Sequence, residues 1–293
     1  MGNEAARITG TDKYDVKDTT CRKYRNVGYR LEEYFGHEID VTTISRNDYA
    51  EFHDWLLDRG TTKIVTVNSY RRLCRAVWNR LRVRGWPLAD ISGITRMEPE
   101  PTPDGKAITD DHLAWLMSLA NIRDLAMILV AAPSGCRKQT LPRLQQSQMK
   151  LWEGPDGRFR VAFKIPSEKG GRPRVLFAQH EAALAIMLWL EIRAYDSDYI
   201  FNSMNDGAQL TPNGVGQAMR KLREKSNLPL DANAHWHALR HRFAQKKLGR
   251  FDAKVVSDWM GIQVETLLQV YAQRTNEELE AIYFGDNDAS SLV

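Results

Sequence analysis

The stretch His237-Ala238-Leu239-Arg240-His241-Arg242-Phe243-Ala244 sets an imidazole and a guanidinium three residues apart. On a helix such a pair shares one face. Side by side, the two groups suit an anionic ligand such as a phosphate. In isolation the pattern reads as the exposed polar face of a surface helix. About a hundred residues upstream, Ser134-Gly135-Cys136-Arg137 follows a nearly all-apolar segment, so an arginine comes directly after a helix-ending glycine. Taken alone, Arg137 reads as a surface salt-bridge residue. Downstream, Val264-Glu265-Thr266-Leu267-Leu268-Gln269-Val270-Tyr271 ends an amphipathic helix on a tyrosine. By itself Tyr271 reads as a half-buried core residue.

The three pieces together change that weighing. Gly135-Cys136-Arg137, the full His237-x-Leu239-Arg240-His241-x-Phe243-Ala244, Gly261 and Tyr271 occur in an order and spacing that resembles the tyrosine recombinase family, which includes phage integrases and Xer-like and Cre-like recombinases. The resemblance covers about residues 106–285. It extends more loosely to the N-terminal helices, where Asn68-x-x-Arg71-x-x-Cys74 to Gly85 looks like the family's core-binding domain. The family also uses a lysine in a turn between two strands. The matching piece is Glu168-Lys169-Gly170-Gly171-Arg172-Pro173-Arg174-Val175, with Lys164 a weaker competitor inside the strand.

What the resemblance implies is a site-specific DNA recombinase that cuts and rejoins double-stranded DNA through a 3′-phosphotyrosine intermediate at Tyr271. A phenol, with a pKa near ~10, is a weak nucleophile toward a phosphodiester. Two guanidiniums, those of Arg137 and Arg240, would neutralise the nonbridging oxygens as charge gathers on them. The resemblance assigns His237 to the tyrosine proton and the phosphate, and Lys169 to protonation of the leaving 5′ oxygen. The linkage stores the bond energy, so neither ATP, metal nor another cofactor is expected. Related readings are a resolvase-like or topoisomerase-like breaking and rejoining enzyme. A reading of a different class is a DNA-binding protein of the same fold with weakened or absent catalysis.

Two positions depart from the family. Ile262 stands nine residues before Tyr271, where the family has a His or Trp that donates a hydrogen bond to the scissile phosphate. Isoleucine has no such donor, and losing one commonly costs ~2.7–4 kcal/mol of barrier. Three readings stand open: a neighbour, Gln263 first, supplies the donor; the site is completed only on DNA or in an oligomer; or the enzyme is slow or specialised. Thr140 stands where an acid commonly holds the first arginine, so Arg137 must be oriented otherwise.

Positioning these residues calls for a mainly α chain with a small antiparallel β-sheet. The expectation is a helical N-terminal core-binding domain over 1–96, a Pro-rich linker over 97–106, and an α+β catalytic domain over 107–293 with a tail helix within 274–293. Apolar spacing predicts helices over 14–34, 48–57 and 66–84, the last with its apolar face through Val67, Tyr70, Leu73, Val77 and Leu81. Its arginines, Arg71, Arg72, Arg75, Arg80, Arg82 and Arg84, have no acid among them and lie largely off that face. Arg71, Arg72, Arg75, Arg82 and Arg84 are therefore expected to contact DNA phosphates, with Arg172 and Arg174 touching DNA from the hairpin. Thr109 is expected to cap a helix. Strands are expected over 147–152, 158–165 and 174–177, and helices over 124–132, 181–193, 213–225, 237–248, 253–260, 264–271 and 276–283. By resemblance the two domains close on DNA as a clamp, and the tail helix docks on a neighbouring protomer of a homo-oligomer, a tetramer on DNA.

Composition bounds the rest. The chain has 293 residues, 43% hydrophobic and 27% charged, with a formal net charge of +4. That is enough chain for one large or two smaller domains, and the basic balance fits a polyanionic partner. Three cysteines without metal-ligand spacing read as a reduced intracellular protein without structural zinc. The apolar run from Leu125 to Pro133 is far short of the ~20 residues of a membrane span. A cytoplasmic, nucleoid-associated or host-cell intracellular protein is expected.

Overall fold

The structure is a computed structural model that describes residues 18–58, 63–94, 107–166, 173–229 and 232–271. The chain divides into two compact units, 1–102 and 103–293. The linker 97–106, Lys169, Arg172 and the tail helix lie outside the described residues, as do 14–17 at the start of the first expected helix.

The first unit holds α1 (Asp18–Phe35), α2 (Arg46–Asp58) and α3 (Ile64–Val83). A reciprocal capping box starts α2: Ser45 Oγ accepts from the Asp48 N–H, and Asp48 Oδ2 accepts from the Ser45 N–H. Tyr49, Phe52, His53 and Leu56 then share the buried face, at the i, i+3, i+4, i+7 spacing of one helical stripe. The buried face of α3 is Val67, Asn68, Arg71, Cys74 and Trp78, one residue around from the expected one. Trp78 explains the rotation. It is the largest apolar side chain on the helix, it packs on Tyr49 with ring centroids 5.1 Å apart, and its indole N–H donates to the Ala89 carbonyl. Burying Trp78 carries Arg71, seven residues earlier, into the core, where it is 3% exposed and donates to the His53 carbonyl. Arg71 is thus not on the exposed basic surface, whereas Arg72, Arg75, Arg82 and Arg84 are exposed.

The second unit begins with α4 (Asp110–Leu119), capped by Thr109, whose hydroxyl accepts from the His112 N–H. Next comes α5 (Ile122–Ser134), capped by Asn121. Three antiparallel strands follow in the order β1 (Met149–Glu153), β2 (Phe159–Ile165) and β3 (Arg174–Ala178). The first starts two residues later than expected because Gln146–Gln148 form a 3₁₀ turn. Lys150 pairs with Ala162, and Ile165 pairs with Arg174, so the register places Arg174 at the mouth of the β2–β3 hairpin. Among the described residues five helices follow: α6 (His180–Ile192), α7 (Pro212–Ser226), α8 (Trp236–Leu248), α9 (Ala253–Met260) and α10 (Val264–Tyr271).

The described residues of this unit form two hydrophobic clusters. The larger is built around Met127, Ile128, Phe163, Ile186, Phe201 and Leu239. It holds α5 against α6, α8 and β3. The smaller contains Phe243, Ala244, Val256, Met260, Leu267 and Tyr271, and it folds α9 and α10 back on α8. The expected nucleophile is therefore a core residue of a small helical cap, and α8 belongs to both clusters.

Candidate active site

Helix α5 is apolar almost throughout and ends at Gly135, which adopts the left-handed conformation with φ 60°. This turn redirects the chain so that Cys136 stays in the core and Arg137 emerges half-buried. A side chain at 135 would be strained in that backbone region, and its Cβ would lie 2.4 Å from Cδ1 of Phe243. Gly135→Ala should therefore destabilise the chain by roughly 2–4 kcal/mol, combining the left-handed strain with overpacking. Urea unfolding checks this against Gly28→Ala, where a Cβ meets nothing within 4 Å. A midpoint for Gly135→Ala equal to wild type would contradict the reading.

Helix α8 is held at its start by two contacts. His235 Nδ1 accepts from the Ala238 N–H as its cap, and the Trp236 indole N–H donates to the Val215 carbonyl at 2.7 Å. Trp236, Leu239, Phe243 and Ala244 form its buried stripe, and Arg240 falls inside that stripe with 1% exposure. A guanidinium so buried must have its donors satisfied. Its Nε donates to the Tyr271 hydroxyl at 3.1 Å, its Nη1 to the Gly135 carbonyl and its Nη2 to the Met260 carbonyl at 3.1 Å. One side chain thus joins the end of α5, the end of α9 and the end of α10. His237, three residues away, is exposed, so the two members of the motif share a helix face but not an environment.

Around Tyr271, which is 6% exposed, stand two imidazoles. The His241 ring lies 4.6 Å from the tyrosine ring and 4.7 Å from that of His237. The His237 ring is 6.1 Å from Tyr271. Although its side chain reaches solvent, partial desolvation of the ring, then the charges of Arg240, His235 and Arg137, push His237 below its ordinary value, which favours the neutral imidazole. Burial likewise depresses Arg240, with Arg137 and Arg174 adding to the shift and Tyr271 opposing it.

Burial first, then His237, His235 and Arg240, lower His241 to about 4. Its Nδ1 is buried without a hydrogen-bond partner among the described residues. An unfolded histidine titrates near ~6.5. Between those values the unfolded chain binds more protons than the folded one, so stability falls as pH drops from about 6.5 toward 4. By pH 5 the loss should be about 2 kcal/mol. His53 in the first unit, lowered to about 4 by burial and Arg71, acts in the same direction. The His241 share is therefore read by comparison with His241→Gln, whose urea stability should fall about 2 kcal/mol less between pH 7 and pH 5. Parallel pH curves for the two chains would refute the assignment.

Arg137 and Arg240 are thus brought into one locus with Tyr271 and His237, while Gln263 is exposed on the rim. Lys164 is an exposed strand residue. Arg174 is not simply a hairpin-flank residue. It is half-buried, and its Nη1 donates to the same Met260 carbonyl that Arg240 uses. Sequence reasoning also passed over His241, although it lies inside the quoted motif. It had no signal for the Met260 carbonyl, since any residue supplies one.

Residues 106–278 match the phage integrase family. The chain belongs to that family. Among curated relatives, the tyrosine recombinase XerC of Haemophilus ducreyi is 30% identical over 169 residues, which is 56% of this chain and 52% of that protein. The XerC of Pseudomonas syringae pv. syringae is 29% identical over 180 residues, 60% of this chain and 54% of that protein. This integrase-family chain therefore spans about half the length of the curated relatives it matches. Among solved structures, the Tn1549 transposon integrase in complex with a circular intermediate DNA superposes with a TM-score of 0.68 at 16% identity, covering 97% of this chain and 98% of that one. XerH bound to its palindromic difH substrate gives 0.69 at 16% identity over 90% and 79%. At such identities the likeness is one of fold.

Proposed function

We propose that the chain is a site-specific DNA recombinase that cleaves and rejoins duplex DNA with Tyr271 as nucleophile. The observation that carries this reading is the Tyr271 hydroxyl held at 3.1 Å by the buried Arg240 guanidinium, in a chain whose family is that of the integrases. The phenol oxygen attacks the scissile phosphorus and the bond to the 5′ oxygen breaks. The phenol proton passes to His237, which its surroundings keep neutral, and Lys169 supplies a proton to the departing oxygen. Arg137 and Arg240 offset the charge that gathers on the nonbridging oxygens. The product is a 3′-phosphotyrosine linkage, and a second 5′ hydroxyl reverses the same steps. Neither metal nor ATP enters this scheme.

DNA is the partner in this reading. The N-terminal unit is its core-binding domain, and Arg72, Arg75, Arg82 and Arg84 are its phosphate contacts. Arg72→Ala and Arg75→Ala should each reduce the dependence of log affinity on log salt by up to ~0.9. Arg71→Ala should instead lower the melting temperature, because it removes a side chain that is 3% exposed and leaves a cavity in the core of the unit. Equal salt slopes for all three variants would remove α3 from the interface. The protein acts inside the cell, as a homo-oligomer on its site assembled through the tail helix.

The test starts from a duplex that the protein itself selects from a randomised pool. That duplex is nicked so that the cleaved fragment diffuses away, incubated with the protein and run on an SDS gel. An SDS-resistant adduct, mapped by mass spectrometry to the peptide bearing Tyr271, is expected. Binding without any adduct would favour the reading of a DNA-binding protein of this fold, for which Ile262 is the specific observation.

A further inference from the structure

The turn between α9 and α10 contains the position at which a phosphate donor is missing. Ile262 is half-buried and apolar, and Gln263 beside it is exposed. A cleft of about 670 Å³ opens at this turn, with Arg137, Arg174, Gly261, Ile262, Gln263 and Thr266 among its walls. Two guanidiniums therefore face one cavity together with the turn.

The placement of Arg174 is specific. A Cβ built on Gly261 would lie 2.0 Å from Nη1 of Arg174, 3.1 Å from its Cζ and 3.2 Å from its Cδ. The arginine stem and head thus lie flat across the backbone of the turn, in space that only a glycine leaves open. Gly261 also has φ 62°, which a glycine adopts without strain. At its far end Arg174 is rooted in β3, paired with Ile165 across the ladder. Its Nη1 donates to the Met260 carbonyl at 3.1 Å, and Arg240 Nη2 donates to the same oxygen at 3.1 Å. One carbonyl oxygen therefore gathers the guanidinium that holds Tyr271 and the one that covers the turn.

Like charges gathered this closely destabilise one another unless an anion joins them. Arg137 and Arg174 both act to lower the pKa of Arg240 at this locus. The anion that the proposed reaction brings there is a phosphodiester whose two nonbridging oxygens gain charge at the transition state. A third donor on the side of Ile262 is what the tyrosine reaction otherwise lacks.

We infer that Arg174 donates to the scissile phosphate in the place left by Ile262, an inference that rests on the recombinase reading. Arg174 keeps its protons throughout and acts by charge and hydrogen bond alone. Gln263, a neutral amide on the rim, is the competing donor.

The test measures single-turnover adduct formation on the self-selected nicked duplex in two forms. One carries the ordinary phosphodiester. The other carries a methylphosphonate at the scissile position, where a methyl group replaces one charged oxygen. On the phosphodiester, Arg174→Ala is expected to slow adduct formation by about 10²–10³-fold while DNA affinity stays within about threefold. On the methylphosphonate, with its charge gone, the deficit should shrink to under tenfold. Arg174→Gln retains a donor for the Met260 carbonyl, so it should fold even if the alanine variant does not, and it should show the same substrate-dependent deficit. The assignment is overturned if both variants react within threefold of wild type. It is overturned equally if their deficit is the same on both duplexes, which marks a positioning role, or if Gln263→Ala takes the loss instead. Wild type forming no adduct on either duplex sinks the recombinase reading, and this inference with it.

Discussion

A Tyr271→Phe chain is expected to form no covalent adduct on a nicked duplex that it still binds with wild-type affinity. The substitution removes one oxygen. It leaves the ring in the cluster of Phe243, Met260 and Leu267 and against His241, so the cap of α8, α9 and α10 should keep its packing. What goes is the proposed nucleophile, along with the acceptor for Arg240 Nε. A hydrogen bond to a charged group contributes about 1.5–3 kcal/mol, and Arg240 is too buried for water to replace it fully. The melting temperature should therefore drop by several degrees while adduct formation falls to background. An SDS gel and a thermal melt on one preparation read both. An adduct persisting in Tyr271→Phe would mean that another side chain attacks the phosphate.

Arg240→Ala should have the second largest effect, and it should be a double one. In the proposed reaction it removes a buried charge that offsets the charge gathering on the phosphate, a loss of at least about 10²–10³-fold for a single donor. Structurally it withdraws donors from the carbonyls of Gly135 and Met260 and from the Tyr271 oxygen. Met260 keeps the bond from Arg174. The Gly135 carbonyl loses the donor Arg240 supplies, and that loss together with the cavity should cost about 2–4 kcal/mol. Arg240→Lys separates the two contributions. Lysine keeps the charge but has no planar fork and cannot span three acceptors in three directions. It should recover part of the stability and little of the rate. Urea midpoints and single-turnover rates measured side by side decide the matter. A lysine variant with near wild-type rate would mean that charge, not geometry, is what Arg240 supplies.

The motif residues were legible because their type and order are unusual. An arginine after a helix-ending glycine, an imidazole and guanidinium three apart, and a tyrosine at a fixed distance beyond Gly261 survive as a pattern in one dimension. The helices were legible for a similar reason. Caps such as Thr109 act over three residues, so their physics is local and written in adjacent letters. The rotation of α3 was less so. An apolar stripe is about 100° wide and adjacent positions both fall near it, so only the packing of Trp78 on Tyr49 selected which line is buried. Arg71 was misplaced for that reason.

By itself, then, the sequence determined the family, the helical character with its small sheet, and which arginines and which tyrosine to watch. The tertiary structure decided their environments. It turned Arg240 from half of an exposed polar face into a charge buried to 1% exposure, and it moved Arg174 from the flank of a hairpin to the wall of the cleft beside Gly261 and Ile262. The physical reason is the same in both cases. Arg240 meets the Gly135 carbonyl across 105 residues of chain, and Arg174 meets the Met260 carbonyl across 86. Backbone carbonyls carry no side-chain signature, so a contact to one over such a distance exists only once the cap of α8, α9 and α10 has closed.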